Sequence, residues 1–419
     1  MENTVFSDRI NKLLTYTDDG IVIVSSGRAP MKSLDEAYKF SVDRNFYYLT
    51  GIDAQNMVLV MKKDGAIITK ALFIERFDEV MARWVGPRLL KNDVTRISGI
   101  KNVNYIDELD DYISDYFVRN RGKEFKVYLD LYRQNIEDTQ SFGVRYANKI
   151  KEMYPYANIC DIFNAVAKTR MVKDFDEIDN IINACKITNE SILAMMRTAH
   201  PFINECELEA VFDYTAAKNN VHEHSFASIV AGGKRATTLH YSDNNTIIND
   251  NELVLCDVGF TYNHYSSDIT RTFPVNGKFN EKQKLIYNIV LEGQSLVIKM
   301  AKPGVTIKEL NDALKAFYEP KLRELGLITE EKGISEYYFH NVSHHLGLDT
   351  HDVSLGSDTP LEGGNVITVE PGLYISDWEI GVRIEDDVLI TDDGCKVISA
   401  GIIKTVEEIE EYMALNGAN

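Results

Sequence analysis

The sequence predicts a mixed α/β protein of two domains, a smaller N-terminal one and a larger C-terminal one built from two similar helix–strand units. Three observations lead there. The chain has 419 residues, more than one ordinary hydrophobic core accommodates. Over residues 1–160, short β-branched and aromatic runs alternate with charged helical segments; beyond that point long amphipathic helices take over. In residues 161–419 a helix, a proline and a capping box follow one another twice.

In the N-terminal domain, Gly20 to Ser26, Phe46 to Gly51, Met57 to Met61, Ala66 to Ile74 and Lys126 to Leu131 read as strands bounded by turn formers. Asp107 to Phe117 reads as a helix. No ligand set clusters here, so this domain is expected to shape access rather than perform chemistry. In the C-terminal domain, Asp176 to Ala199 carries Ile178, Ile181, Ile182, Cys185, Ile192 and Met196 at helical spacing. Pro201 ends that helix, and Asn204-Glu-Cys-Glu207 opens the next. Asn280 to Lys302, Pro303 and Thr306-Ile-Lys-Glu309 repeat the arrangement. Helix signals alone leave coincidence open. The acid-bearing strands after both copies favour a duplicated half-domain with its site between the halves.

Composition removes several function classes. A hydrophobic content of 44% with 10% aromatics excludes general disorder. The net charge of −19 argues against nucleic-acid binding, which needs clustered Lys and Arg. No apolar run reaches the roughly 20 residues that span a bilayer. The start, Met-Glu-Asn-Thr-Val-Phe-Ser-Asp, lacks the basic and apolar regions of a secretory signal. Five scattered cysteines with no CxxC pair read as reduced thiols. The expectation is a cytoplasmic protein.

Four of the nine histidines fall between His340 and His351. Glu370 and Glu385 follow, and Asp257 and Asp268 precede. Placing Tyr262 and Asn263 at a hairpin tip sets Asp257 directly opposite Asp268, about 5 Å apart at Cβ. Facing buried carboxylates need protons or metal, although a lone Asp pair is more often structural. Glu370 and Glu385 are likewise symmetric about Asp377 and Trp378. Arg383 shares a strand face with Glu385 and can neutralise and orient carboxylates. His344 offers a nitrogen ligand, and His240 is either a further polar group of the site or a solvated loop residue. Four carboxylates and one imidazole suit two divalent ions such as Mn²⁺, with Co²⁺, Zn²⁺ or Fe²⁺ as alternatives.

At these residues the chain resembles the pita-bread metallopeptidases, in the Xaa-Pro aminopeptidase (aminopeptidase P) and prolidase branch. The matching motifs are Leu-Cys-Asp257-Val-Gly, Ser-Ser-Asp268-Ile-Thr-Arg-Thr-Phe, His340-Asn-Val-Ser-His344-His-Leu-Gly-Leu-Asp-Thr-His351-Asp, Val-Glu370-Pro-Gly-Leu-Tyr374 and Val-Arg383-Ile-Glu385-Asp. Gly27-Arg-Ala-Pro-Met-Lys-Ser33 and Arg44-Asn-Phe-Tyr-Tyr-Leu-Thr-Gly51 resemble the creatinase-type N-terminal domain. His345 departs from the pattern, which commonly has an aromatic or bulky apolar residue there.

The resemblance implies Asp257, Asp268, His344, Glu370 and Glu385 as ligands of two metal ions, usually Mn²⁺, with Glu370 also the general base. It implies His240, His340 and His351 as cleft residues that bind substrate and stabilise the gem-diolate, with Arg383 supporting the ligands. Tyr374 and Trp84 match substrate-cleft positions. The implied activity is release of the N-terminal residue from peptides with proline second, by attack of water shared between the ions. The alternatives are a prolidase acting on Xaa-Pro dipeptides and a non-catalytic peptide-binding relative. A homo-oligomer, dimer or tetramer, is also expected.

Overall fold

In the computed structural model, which describes residues 4–417, the chain separates into two units between Thr169 and Arg170. The first holds one six-stranded sheet. Its strands are β1 (Gly20–Ser25), β2 (Val58–Asp64), β3 (Ile67–Ile74), β4 (Val103–Tyr105), β5 (Lys126–Leu129) and β6 (Asn158–Asp161). They lie in the order β4-β3-β2-β1-β5-β6. The meander β1–β2–β3 is antiparallel, and the outer strands join in parallel.

Six helices accompany the sheet: α1 (Thr4–Thr15), α2 (Arg44–Thr50), α3 (Glu79–Val85), α4 (Lys91–Ser98), α5 (Leu109–Arg119) and α6 (Phe142–Met153). The apolar faces of α5 and α6 supply Ile113, Phe117, Tyr146 and Ile150 to a core with Ile23, Val60, Phe73 and Val127. Phe73 and Phe117 are at most 1% exposed, each contributing roughly 1.5–3 kcal/mol of burial.

Two expectations change here. Phe46 to Gly51 is not a strand but α2. The Asp43 side chain accepts from the Phe46 N–H and caps its start, and Gly51, at φ 65°, ends it. A Cβ on Gly51 would fall 2.2 Å from the Phe6 ring, so the aromatic run reads as helix only once its caps are seen. The break expected between residues 160 and 161 falls inside β6, whose Asp161 pairs with Leu129. The first unit therefore continues to Thr169.

The second unit contains the duplicated pattern. Helix α7 (Phe163–Arg170) crosses the division and leads into α8 (Phe175–Thr198) and α9 (Glu205–Lys218). They are followed by β7 (Ile229–Gly232), β8 (Leu253–Val258), the short ribbon β9 (Thr261–Tyr262) and β10 (Tyr265–Ser266), and β11 (Ile269–Pro274). β7, β8 and β11 form a three-stranded sheet. The second copy runs through α10 (Glu281–Met300) and α11 (Ile307–Glu324) to β12 (Val366–Val369), β13 (Gly372–Ile375), β14 (Ile380–Arg383), β15 (Asp386–Ile390) and β16 (Cys395–Val397). β12, β15 and β16 make the matching sheet, and β13 pairs with β14. Helix α12 (Val406–Asn416) follows. The expected capping boxes are formed by Asn204 with Glu207 and by Thr306 with Glu309. No helix of the described residues is long and apolar enough to cross a membrane.

The first hairpin turns one residue later than expected. Its tip is Asn263 and His264, both at positive φ, and Tyr262 pairs with Tyr265. Asp257 therefore pairs with Thr270, and Asp268 lies diagonally across, two residues before that partner. Asn and His tolerate the left-handed conformation that a tight hairpin tip needs, whereas tyrosine does so poorly. The second hairpin has the expected register. Val369 pairs with Asp386 and Gly372 with Arg383, which brackets Glu370 and Glu385 as opposed residues.

Candidate metal centre

The two halves meet at the break between β14 and β15. The Glu385 N–H donates to the Thr270 carbonyl at 3.1 Å, and the Thr272 hydroxyl donates to the Arg383 carbonyl at 3.0 Å. From α10, the buried Gln294 amide donates to the Val369 and Ile384 carbonyls, at 3.3 and 3.1 Å. These are the residues immediately before Glu370 and Glu385. Sequence reading passed over Gln294, because a glutamine inside an amphipathic helix carries no distinguishing local signal.

Residues 342–346 run beside β12. Thr368 N–H donates to the His344 carbonyl at 2.9 Å, Glu370 N–H to Val342 at 2.9 Å, and Leu346 N–H to Val366 at 3.0 Å. This pairing brings His344 to the acids. Its Nε2 lies 3.4 Å from Asp268 Oδ2 and 3.5 Å from Glu370 Oε1. Asp268, His344 and Glu385 each offer a ligand atom within 4.8 Å of the others. Asp257, Asp268, Glu370, Glu385, His344, His240, His340, His351 and Arg383 all line one cleft of about 900 Å³.

Electrostatics in this cleft favour a cation. Burial, reinforced by neighbouring carboxylates, pushes Asp268 and Glu385 well above the usual carboxylate range. Burial also raises Glu370, although His344 and Arg383 oppose the rise. Asp257 Oδ1 is buried without a hydrogen-bond partner, while Asp257 Oδ2 accepts from Arg383 Nη2 at 2.6 Å. Crowded carboxylates with an unsatisfied oxygen fit divalent ions, which replace the retained protons.

Arg383, 2% exposed, connects the acids to a cleft histidine. Its Nε donates to Thr270 at 3.1 Å, and the Thr270 hydroxyl donates to Glu385 Oε2 at 2.7 Å. Its Nη1 donates to the Tyr374 hydroxyl at 2.8 Å, and that hydroxyl lies 2.9 Å from His340 Nε2. His340 Nδ1 lies 2.7 Å from the Asn341 carbonyl, so Nδ1 carries the proton and Nε2 accepts from Tyr374. Burial, then the nearby Arg383 charge, lowers His340 to about 4. Tyr374 thus lies buried behind the cleft and reaches it through His340. Trp84 lies on α3 of the first unit, with its ring exposed.

Residues 179–392 match metallopeptidase family M24. The chain belongs to this family. Residues 6–128 of this M24 metallopeptidase match the aminopeptidase P N-terminal domain. It is 34% identical over 397 residues to the Xaa-Pro aminopeptidase of Haemophilus influenzae, covering 90% of each chain. It is 30% identical over 415 residues to human Xaa-Pro aminopeptidase 3, covering 94% of this chain and 81% of the relative. Among solved structures, Escherichia coli aminopeptidase P in its low-pH form superposes with a TM-score of 0.90 at 29% identity over 99% of both chains. A candidate aminopeptidase P from Bacillus anthracis does so at 0.96 with 41% identity over 100% of both. The pita-bread architecture expected from the motifs is therefore the one present.

One further group supports the metallopeptidase cleft. Glu205, fully buried at the start of α9, accepts from Gly232 N–H (2.9 Å), Arg235 Nε (2.6 Å), Tyr241 hydroxyl (2.8 Å) and Thr246 N–H (2.9 Å). Those four bonds shape the loop that presents His240. In the sequence Glu205 reads only as an ordinary acid in a first helical turn.

Proposed function

We propose that this metallopeptidase is an Xaa-Pro aminopeptidase, releasing the first residue of peptides whose second residue is proline. The observation that carries the reading is the convergence of Asp257, Asp268, His344, Glu370 and Glu385 in one cleft walled by His240, His340 and His351. The names of the relatives agree with it. The five residues would hold two divalent ions, with Mn²⁺ the expected species from an oxygen-rich donor set. When bound, such ions supply Lewis acidity and an acidified water.

The chain's own groups do the rest. Glu370 takes the proton of the attacking water and returns it to the prolyl nitrogen, which must leave as an amine. His240, His340 and His351 would line the peptide; His240 and His351 would stabilise the oxygen that gains charge at the carbonyl, because both ring nitrogens of His340 are engaged by Asn341 and Tyr374. Arg383 holds Asp257 in place and, through Tyr374, fixes the tautomer of His340. Trp84 stays a candidate substrate residue on the motif resemblance alone.

The cleft's charge favours longer peptides over Xaa-Pro dipeptides. Arg383 is the Lys or Arg among its described lining residues, and Asp257 and Tyr374 already engage it. A dipeptide's free carboxylate would therefore meet no available cationic side chain among the described lining residues, whereas a tripeptide presents a neutral amide there. With Mn²⁺ added, an Xaa-Pro-Yaa peptide is expected to be cleaved much faster than the matching Xaa-Pro. Fast dipeptide cleavage with an inert tripeptide would overturn the assignment in favour of prolidase. Lack of hydrolysis of both would favour a peptide-binding role.

The histidines divide by task. His344→Ala is expected to lower bound metal, read by elemental analysis, whereas His340→Ala and His351→Ala keep metal and lose turnover. Equal metal loss in all three would contradict that division. The five unpaired thiols support residence in the cytoplasm. Exposed apolar side chains of the first unit, among them Met31, Leu34, Tyr38, Val80 and Trp84, support a homo-oligomer.

A further inference from the structure

Behind the histidine loop, Asp352 is buried with its carboxylate clamped between two cations. Arg170 Nη2 lies 2.5 Å from Oδ1 and Lys173 Nζ 2.9 Å from Oδ2, and none of the three side chains is more than 3% exposed. Arg170 also reaches Asp349 at 2.8 Å. Burial opposes charge on Asp352, yet Arg170 and Lys173 hold its carboxyl down at about 2. Beside them, burial keeps the His345 ring neutral, so it adds no further charge.

A buried ion cluster is weak evidence of stability, because apolar side chains of similar size hold a fold as well. The backbone around this one shows a different task. The Asp352 N–H donates to the His345 carbonyl at 2.8 Å. The same carbonyl lies 3.0 Å from His344 Nδ1. A carbonyl can only accept, so His344 carries its proton on Nδ1 and turns the Nε2 lone pair towards Asp268 and Glu370. His351 directly precedes Asp352, and its ring centre is 4.3 Å from that of His344.

Gly347 makes the closure possible. A Cβ there would fall 2.3 Å from Asp352 Oδ2 and 3.1 Å from Lys173 Cε. Any side chain at that point would push the carboxylate and ammonium out from under the loop.

We propose that Asp352, anchored by Arg170 and Lys173, is a positioning residue. It holds the His345 carbonyl where that group fixes His344 in its Nδ1–H tautomer, and it seats His351 beside His344 at the cleft wall. The catalytic consequence rests on His344 being a metal ligand, as proposed above; the tautomer itself does not.

The test uses full-length, metal-free protein labelled with ¹⁵N-histidine, above the ordinary imidazole titration range. His344 is assigned by loss of its signals in His344→Gln. Wild type is expected to show one His344 tautomer, protonated on Nδ1. Asp352→Asn keeps the shape, removes the charge, and is expected to give a mixture of tautomers. It should also raise the Mn²⁺ activation midpoint about tenfold and lower kcat roughly 10–100-fold with KM little changed. Lys173→Gln, which leaves the carboxylate in place, gives a second reading if Asp352→Asn folds poorly. Leu314→Ala, a buried change in α11, controls for lost stability and should leave the tautomer and the midpoint unaltered.

A wild-type tautomer and midpoint in Asp352→Asn, or equal shifts in Leu314→Ala at a matched melting temperature, would overturn the proposal. A wild type that hydrolyses no peptide would count against the aminopeptidase reading alone, since the spectrum is recorded without substrate or metal.

Discussion

Glu370→Gln is expected to lower kcat for an Xaa-Pro-Yaa peptide by about 10²–10⁴-fold, the range lost when a positioned general base is removed. Glu370 follows β12, with its backbone N–H held by the Val342 carbonyl at 2.9 Å. Its side chain is only 16% exposed, and its oxygens lie 3.5 Å from His344 Nε2 and 3.7 Å from His340 Nδ1. Burial raises its proton affinity above the ordinary carboxylate value, which suits a group that must take a proton and give it back. Glutamine keeps the shape and one donor oxygen but cannot accept and return that proton. The expected signature is a loss in kcat, with circular dichroism unchanged and metal content largely kept. Activity within twofold of wild type would remove Glu370 from the base role. Loss of both metals would make its role that of a ligand only.

Removing both divalent ions with a chelator is expected to lower the melting temperature by about 10–20 °C, and by more as pH rises. An ion present at a hundred times its dissociation constant contributes about 2.7 kcal/mol per site, and a unit of this size shifts by roughly 2–4 °C per kcal/mol. The pH dependence follows from the raised carboxylates. Asp268, Glu370 and Glu385 bind protons more tightly in the metal-free folded state than in the unfolded chain. Their contribution is present at low pH and is lost as pH rises through the folded values. The window opens at about 4, where unfolded carboxylates titrate, and closes above it, where the raised folded carboxylates release their protons. Bound ions replace those protons, so loaded protein should keep its stability across the window. Differential scanning fluorimetry with and without chelator checks this. A gap that narrows with pH would show that the carboxylates are not held against their charge. Asp268→Asn should remove most of the gap.

Much of the second unit was legible in the sequence because the signals are local. Capping boxes at Asn204 and Thr306 declare themselves within four residues, and the prolines that follow α8 and α10 stop helices for steric reasons. The opposition of Glu370 and Glu385 was legible too, since one symmetric count across Asp377 and Trp378 matches the observed register. The first hairpin was less so. Its tip is chosen by which residues accept positive φ, and counting from the aspartates placed it one residue early, making a diagonal pair look direct. Phe46 to Gly51 misled for a related reason. Aromatic, β-favouring residues form α2 because Asp43 and Gly51 cap it and the core takes Phe46, Tyr48 and Leu49.

By itself the sequence determined the inventory of this protein: four acids and an imidazole fit for two ions, cleft histidines, a duplicated helix–strand plan and an N-terminal α/β domain. Residue type fixes which atoms can bind a cation or move a proton, and short spacing fixes which of them share a hairpin. Only the tertiary structure decided which groups hold those atoms in place. Gln294 reaches across from α10, Arg383 links Asp257 to Tyr374 and His340, and Glu205 shapes the loop of His240. Arg170 and Lys173 enclose Asp352 from about 180 residues away along the chain. Such partners are joined by packing between distant segments, whose distances no local pattern encodes.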